Sequence, residues 1–177
     1  MKVLLNDASV LLNLLAADCI AEIASALDWQ FAICPLVRDE AKKLRDASTG
    51  DMVPVDIAPL IESGVLQVFE LSGDDEKTRY VEEATVVDDG EAMSIAIAAC
   101  RRLELAIDDR QASNHVRRTF PSLKLWTTPD IIKRWADVAA LSEARLRDVF
   151  LSIEIRARYS PPNSHPLAAW WKAVAHN

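Results

Sequence analysis

Acidic side chains follow two short apolar runs of this chain, and they are the residues whose type and spacing could do chemistry. Residues 2–6 read as a buried strand that stops at Asp7. Residues 105–107 read as a later strand that stops at Asp108 and Asp109. The carboxyl ends of parallel strands open on one edge of a sheet, so we expect these acids to meet there. The pattern leaves open which of the two adjacent aspartates faces the cluster and which caps the next helix.

Two further acids are predicted to reach the same edge from helices. Glu40 lies in the first turns of a helix predicted over residues 35–47, which starts with a proline. Glu91 opens the most clearly amphipathic helix of the chain. A simpler explanation exists for each acid, because a carboxylate at a helix start caps the helix or complements its dipole. Capping is the preferred interpretation for Asp88 and Asp89.

Several carboxylates at one edge repel one another, and a divalent cation would offset that repulsion. Mg²⁺ and Mn²⁺ prefer oxygen ligands and leave places for water and for phosphate oxygens. Such ions also stabilise the charge on a phosphodiester that is being cleaved. The acids therefore favour a magnesium or manganese site. A phosphatase with an aspartyl nucleophile is disfavoured, because it would want Asp-x-Asp where the chain has Asp7-Ala8-Ser9.

Apolar runs that are short enough for strands alternate with helical patterns along the chain, which predicts a parallel sheet with helices on both faces. The strand candidates are residues 2–6, 31–34, 65–69, 105–107 and 123–126. Helices are predicted after each of them, including a single long helix over residues 142–159 and a terminal helix over 167–175.

Composition limits the class of protein. The chain has 177 residues and a net charge of -7, enough for one domain with a substantial core. Residues 1–116 carry 10 Lys+Arg against 22 Asp+Glu, a balance of -12, whereas residues 117–177 carry 10 against 5, a balance of +5. The three cysteines form no C-x-x-C pair, which argues against a disulfide framework or a zinc site. No apolar run has transmembrane length and the N-terminus lacks a signal peptide pattern, so we expect a cytoplasmic protein without membrane contact.

Three segments together resemble the PIN-domain family. Residues 3–15 (VLLNDASVLLNLL) are similar to the family's opening strand, Asp-x-Ser/Thr and apolar helix. Residues 88–98 (DDGEAMSIAIA) resemble the Gly-Glu-Ala segment of one branch, the VapC-like ribonucleases, and residues 105–112 (LAIDDRQA) resemble its third motif. One departure is Ile107, which stands where that motif usually has Thr or Ser.

The resemblance implies a three-layer α/β/α sandwich with a central parallel sheet. Residues 1–126 would form the nuclease domain, and residues 127–177 a helical C-terminal extension packed on the same domain. It also implies a metal-dependent endoribonuclease that uses Mg²⁺ or Mn²⁺, often the toxin of a toxin–antitoxin pair, so RNA, an antitoxin protein and a second copy of the chain are the expected partners. The implied ligands and catalytic residues are Asp7, Glu40, Glu91 and Asp109, with Asp108 as a further candidate ligand and Ser9 orienting Asp7 or a bound water. The alternative is a non-catalytic PIN-like module that binds RNA or protein.

Other residues have preferred structural interpretations. We expect solvated helix faces rather than phosphate contacts for Arg101, Arg102, Arg110, Arg117 and Arg118. We expect core or dimer packing rather than base stacking for Trp126, Trp135, Trp170 and Trp171. His115 and His165 are too isolated to propose as catalytic. Residues 156–166 carry an unusual Arg, Tyr, Pro and His pattern, which is expected to dock on the core, a second subunit or a partner.

Overall fold

The structure is a computed structural model and describes residues 1–176. The strands are β1 Lys2–Leu5, β2 Gln30–Ile33, β3 Lys43–Arg45, β4 Met52–Pro54, β5 Leu66–Val68, β6 Glu104–Ala106 and β7 Leu125–Trp126. The helices are α1 Ala8–Ala16, α2 Ile20–Leu27, α3 Pro35–Glu40, α4 Ala58–Glu62, α5 Gly73–Glu83, α6 Asp89–Arg101, α7 Arg110–Thr119, α8 Thr128–Ala139, α9 Glu143–Ser152 and α10 Ala168–His176. A π-helical turn, Ile153–Ala157, follows α9.

Five strands form one parallel sheet in the order β5-β2-β1-β6-β7. The chain builds outward from β1 through β2 to β5, then crosses back so that β6 lies on the other side of β1. This reversal makes the carboxyl ends of β1 and β6 a topological switch point, where a crevice opens in sheets of this kind. Asp7 follows β1 and Asp109 follows β6, so both acids lie at that point.

Helices cover both faces of the sheet, which confirms the predicted three-layer α/β/α fold class. Helix α6 packs against α5 and α3, whereas α8 packs against α1 and α2. Strand β1 is central, and its residues Val3, Leu4 and Leu5 are fully buried because helices lie above and below them.

The C-terminal helices share the core of the sheet. One hydrophobic cluster contains residues of β1 and β2 together with Trp135, Phe150 and Trp171. The rings of Phe150 and Trp171 stack with centroids 4.0 Å apart, which joins α9 to α10. Among residues 1–176 no single helix is both long and apolar enough to cross a bilayer, and only α1 and α2 taken together, bent by 96°, meet that test.

The helix predicted over residues 35–47 is wrong beyond Glu40. Ala41 leaves the helical region (φ -77°, ψ 66°), and β3 then pairs with β4 in an antiparallel hairpin. The loop explains the change, because the Asp46 carboxylate accepts hydrogen bonds from the backbone N–H groups of Ser48 and Thr49. Gly50 then takes a left-handed φ of 77°. Glu40 is therefore the last residue of α3 and does not lie in the first turns of a longer helix.

The single helix predicted over residues 142–159 is also shorter than expected. Helix α9 ends at Ser152, continues as the π-helical turn, and stops at Arg158, which adopts a left-handed conformation (φ 56°). Beyond this point the chain turns back toward the carboxyl edge of the sheet, where Tyr159 and His165 make the contacts described below.

Candidate active site

A cavity of about 740 Å³ opens at the carboxyl edge of the sheet and is lined mainly by polar groups. Its acidic lining residues are Asp7, Glu40, Asp88, Glu91 and Asp109. They come from the end of β1, the end of α3, the start of α6 and the end of β6, so four separate parts of the chain deliver them. The four acids expected from the sequence resemblance thus surround one cavity.

Asp7 is positioned by its role as the N-cap of α1. Its extended backbone (φ -137°, ψ 169°) lets Oδ1 accept a hydrogen bond from the N–H of Val10 at 3.0 Å. Ser9 does not cap the helix; its hydroxyl donates to the same Oδ1 at 2.7 Å. These two contacts fix one carboxylate oxygen of Asp7, and Ser9 orients the acid.

The adjacent aspartates at the end of β6 have different environments. Asp109 lines the cavity and also caps α7, because its Oδ1 accepts from the N–H of Ala112 at 2.7 Å. Asp108 is not among the lining residues of the acidic cavity. Both of its oxygens accept hydrogen bonds, from the N–H and hydroxyl of Thr128 (2.8 and 2.6 Å), the Tyr159 hydroxyl (3.2 Å) and the Asn13 amide (3.0 Å).

Burial raises the pKa of Asp108 to about 6, and the hydrogen bonds from Thr128 partly oppose that rise. Asp108 therefore fastens the start of α8 and the segment after α9 to the sheet edge. Of the adjacent residues Asp108 and Asp109, only Asp109 lines the acidic cavity.

Glu40 enters the cavity without any hydrogen bond or salt bridge to its carboxylate from residues 1–176. Burial, together with the charges of Asp7 and Asp88, raises its pKa above the usual value. Gly90 leaves room for this carboxylate, since a Cβ at that position would lie 3.3 Å from Glu40 Oε1. A larger residue at position 90 would therefore require the Glu40 carboxylate to shift by a few tenths of an ångström.

Glu91 is the acid whose ionisation is most disturbed. It is half-buried, and burial with the charges of Asp109 and Asp7 raises its pKa to about 7. The neutral form of Glu91 is therefore favoured first by burial and then by the nearby carboxylates.

Asp88 is an acid whose place in the site the sequence did not indicate. The sequence favours a capping role for Asp88. In the structure its side chain makes no capping hydrogen bond at the start of α6 and instead lines the cavity. Asp88 lies three residues before Glu91, so both acids lie at the start of α6. This spacing could have indicated that Asp88 belongs to the site. Asp88 adds a fifth carboxylate to the cavity.

A buried contact supports one wall of the cavity. His115 Nε2 on α7 lies 2.5 Å from Glu83 Oε2 at the end of α5, and both side chains are largely buried. Residues 84–87, which follow Glu83, line the cavity. The contact therefore holds α7 beside the segment that joins α5 to α6. No local sequence pattern predicts it, because the two residues are 32 positions apart.

The cavity offers the kind of ligand that a hard divalent cation prefers, because each of its acidic residues carries carboxylate oxygens. Asn6 precedes Asp7 in the chain, and it is fully buried with no hydrogen-bond partner for its side-chain polar atoms, but it does not line this cavity. Among residues 1–176, however, no group of three or more His, Cys, Asp or Glu is arranged to hold a metal ion. The acids surround the cavity without forming such a group.

Several other residues singled out in the sequence have structural roles. Arg101 forms a salt bridge with Glu76 at 2.7 Å, which makes it part of the α5–α6 contact. Trp135 and Trp171 are buried in the core. Cys19 and Cys34 are buried free thiols, whereas Cys100 is an exposed one.

Comparison with known proteins assigns the chain to no family. No protein-family model matches the chain, and no curated protein matches it. One similar solved structure is a PilT N-terminus (PIN) domain protein from the hyperthermophilic archaeon Sulfolobus solfataricus P2. It is 15% identical with a TM-score of 0.48, over 76% of this chain and 93% of that chain. A likeness of this degree assigns no function to individual residues.

Proposed function

We propose that the chain is a magnesium- or manganese-dependent endoribonuclease of the PIN type. The observation that carries this proposal is the meeting of Asp7, Glu40, Glu91 and Asp109 around one cavity at the switch point of the sheet. Burial, with the charges of Asp109 and Asp7, raises the pKa of Glu91 there, and a bound cation would favour its ionised form.

In this proposal Asp7, Glu40, Glu91 and Asp109 hold the cation, and Asp88 adds a further carboxylate. Ser9 keeps Asp7 oriented through the hydrogen bond to Oδ1, which leaves Oδ2 free for the ion. A bound divalent ion supplies Lewis-acid stabilisation of the phosphodiester and makes water a better nucleophile. No side chain is required as a separate general base.

The decisive test is replacement of Asp7 by Asn. Asparagine is as good an N-cap as aspartate, so α1 stays capped while the charge is lost. We expect Asp7→Asn to lower metal-dependent cleavage of mixed RNA at least about a hundredfold, with the melting temperature nearly unchanged. The measurement is cleavage with magnesium, with manganese and with chelator.

Asp148→Asn, a change at an exposed position of α9, is the matched control and should leave cleavage unchanged. Wild-type cleavage by purified Asp7→Asn protein, with contaminating nuclease excluded, would remove Asp7 from the mechanism.

A second candidate function is a PIN-like module that binds RNA or protein without cleaving it. It is favoured by one observation: Asp7 and Asp109 each commit one oxygen to a helix N–H, and no three acids in residues 1–176 form a metal-holding group. A module of this kind would bind RNA equally well with magnesium or with chelator and would release no products.

The toxin role and the antitoxin partner stay predictions that rest on the sequence resemblance, and the homodimer stays a separate prediction. A small antitoxin-like protein encoded beside this gene would support the first two.

A further inference from the structure

Three cavities follow one another along α7. The acidic cavity shares Asp109 and Gln111 with a second cavity, which also contains Asn114 and three arginines. The second cavity in turn shares Arg110, Asn114 and Arg117 with a third one of about 280 Å³. We call the second and third cavities together the arginine groove. The arginine groove extends from the acidic cavity along α7.

The basic residues of this groove lie on one face of α7. Arg110, Arg117 and Arg118 are spaced i, i+7 and i+8, which places them on the same side of a helix. Within residues 1–176 none of the three forms a salt bridge with an acid, and only Arg117 makes a side-chain hydrogen bond, to the Ser113 hydroxyl at 3.3 Å. Arg101 and Arg145 are paired with glutamates, and Arg102, which makes no salt bridge within residues 1–176, lines a different cavity. Three unpaired guanidinium groups on one helix face of an acidic protein give that face a local positive potential, which attracts anions.

The opposite wall of the third cavity is formed by Pro162, Ser164, His165 and Pro166. His165 Nδ1 accepts a hydrogen bond from the N–H of Leu167 at 3.1 Å, so the neutral ring carries its proton on Nε2. That nitrogen donates to the Thr127 hydroxyl at 3.0 Å, and Thr127 donates to Asp130 at 2.7 Å. The loop is thus fastened to the start of α8, and its prolines restrict it further. The groove is preformed.

Two acids also line the third cavity, and three of their four carboxylate oxygens are already engaged. Asp108 is bonded to Thr128, Tyr159 and Asn13, while Asp130 Oδ2 accepts from the N–H and hydroxyl of Thr127. Arg110 and Arg117 therefore remain the groups that offer free donors to a ligand in this cavity. The ligand they suit is anionic, and the continuity with the acidic cavity means that it is extended.

We propose that the arginine groove binds the phosphodiester backbone of single-stranded RNA on one side of the bond presented to the acidic cavity. The proposal rests on the proposed function, because it takes the acidic cavity as the place of cleavage. The third cavity, of about 280 Å³, lies between α7 and the fastened loop that contains Pro162 and Pro166, and this confined space suits one strand rather than a duplex. Backbone contacts of this kind position a strand without reading its sequence.

The test is binding of a fluorescein-labelled dodecameric oligouridylate, measured by anisotropy with chelator present so that cleavage plays no part. We expect Arg110→Gln/Arg117→Gln to weaken binding roughly tenfold at low salt. The slope of log K against log salt concentration should become shallower by about 1.4, since each lost phosphate contact on a single strand contributes about 0.7.

The matched control is Arg102→Gln/Lys124→Gln, which removes the same charge. These residues line a separate cavity beside Glu104 at the start of β6, at the opposite edge of the sheet. The control should bind the oligouridylate like the wild type. Arg110→Lys/Arg117→Lys, which keeps both charges, should recover most of the salt slope, and thermal unfolding of every variant establishes that it is folded.

Equal weakening by the groove and control variants would overturn the proposal, and so would an unchanged salt slope in a folded groove variant. Equally tight binding of a duplex of the same length would overturn the assignment to a single strand. Failure of the nuclease proposal is a separate outcome, because a protein that cleaves no RNA can still show the groove-dependent salt slope. A protein that cleaves RNA and binds it without the two arginines would refute the groove alone.

Discussion

Burial among other carboxylates makes the ionised form of Glu91 unfavourable. Its folded pKa of about 7 lies above the ordinary value of 4.5, so the folded protein holds this proton more tightly than the unfolded chain does. The stabilisation is complete below about pH 4.5 and is lost as the pH rises through 7. The metal-free protein should therefore become less stable over that range.

Glu91→Gln should remove this pH dependence, because glutamine is neutral and can still accept the hydrogen bond from the Asp88 N–H. Solvent screening of a half-buried group limits the effect to about 1 kcal/mol, so near pH 8 in chelator the melting temperature should rise by roughly 2–4 °C. Near pH 4 the variant and the wild type should melt together. Calorimetry at both pH values measures the difference.

Glu143→Gln is the control for this measurement, since Glu143 is an exposed acid in the first turn of α9. It should leave the pH profile unchanged. Parallel profiles for Glu91→Gln and the wild type would mean that the Glu91 carboxylate is not disturbed as described.

The sequence predicted individual residues of the site well where backbone position alone decides their place. Asp7 and Asp109 follow strands, so their arrival at the carboxyl edge was predictable. The separate environments of Asp108 and Asp109 were not, because they depend on Thr128 and Tyr159, which are 20 and 51 positions away from Asp108. The resemblance to a known motif favoured Asp109, whereas periodicity could not distinguish the two.

Tyr159 fastens the segment after α9 to the edge of the sheet. Its hydroxyl donates to Asp108 Oδ1 at 3.2 Å, and burial raises the pKa of the hydroxyl, so it stays protonated as a donor. Tyr159→Phe should lower the free energy of unfolding by about 1 kcal/mol, because Asp108 keeps its other three donors. Urea denaturation measures this loss.

Thr128→Val should be more damaging than Tyr159→Phe. It removes the hydroxyl that donates to Asp108 at 2.6 Å and accepts from Asn13 at 3.2 Å, so two buried polar groups lose a partner. Equal urea midpoints for Thr128→Val and the wild type would show that the Asp108 contacts do not stabilise the segment.

The hairpin β3–β4 marks the limit of element prediction. Residues 41–47 have good helix formers, and propensity alone continued α3 through them. Strand pairing overrode propensity, and the local signal lay in the turn, where Asp46 and Gly50 stand four residues apart in the pattern of a capped loop. Because this turn ends α3 early, it also places Glu40 at the last position of a short helix.

At the scale of the whole molecule, residues 127–176 supply much of the common core. Ile131, Ile132, Trp135, Phe150 and Trp171 are at most 1% exposed and belong to the same cluster as β1. Burial of each is worth about 1.5–3 kcal/mol, and five of them together match the entire stability of an ordinary domain, about 5–15 kcal/mol.

A chain truncated after Trp126 should therefore fail to fold. We expect loss of the near-ultraviolet circular dichroism signal and strong binding of a hydrophobic dye, in contrast to the full chain. A truncated protein with a cooperative melting transition would show that residues 1–126 form an independent unit.

The structure shows where the acidic and the basic parts of the sequence meet. The acidic N-terminal part delivers all five carboxylates of the cavity, and the arginines at positions 110, 117 and 118 begin immediately after the last of them. Opposite charges thus lie side by side along α7, a separation that the two-part charge count indicated without locating it.

Two of the four predicted ligands would be retained even in a relative that had lost all activity, because Asp7 and Asp109 cap helices. Glu40 and Glu91 have no such structural role. Glu40 ends a helix, where the dipole disfavours an acid, and the charge of Glu91 is opposed by burial and by its neighbours. In an evolutionary comparison, positions 40 and 91 are consequently the informative ones: a neutral residue at either would indicate a loss of catalysis sooner than a change at the two capping positions.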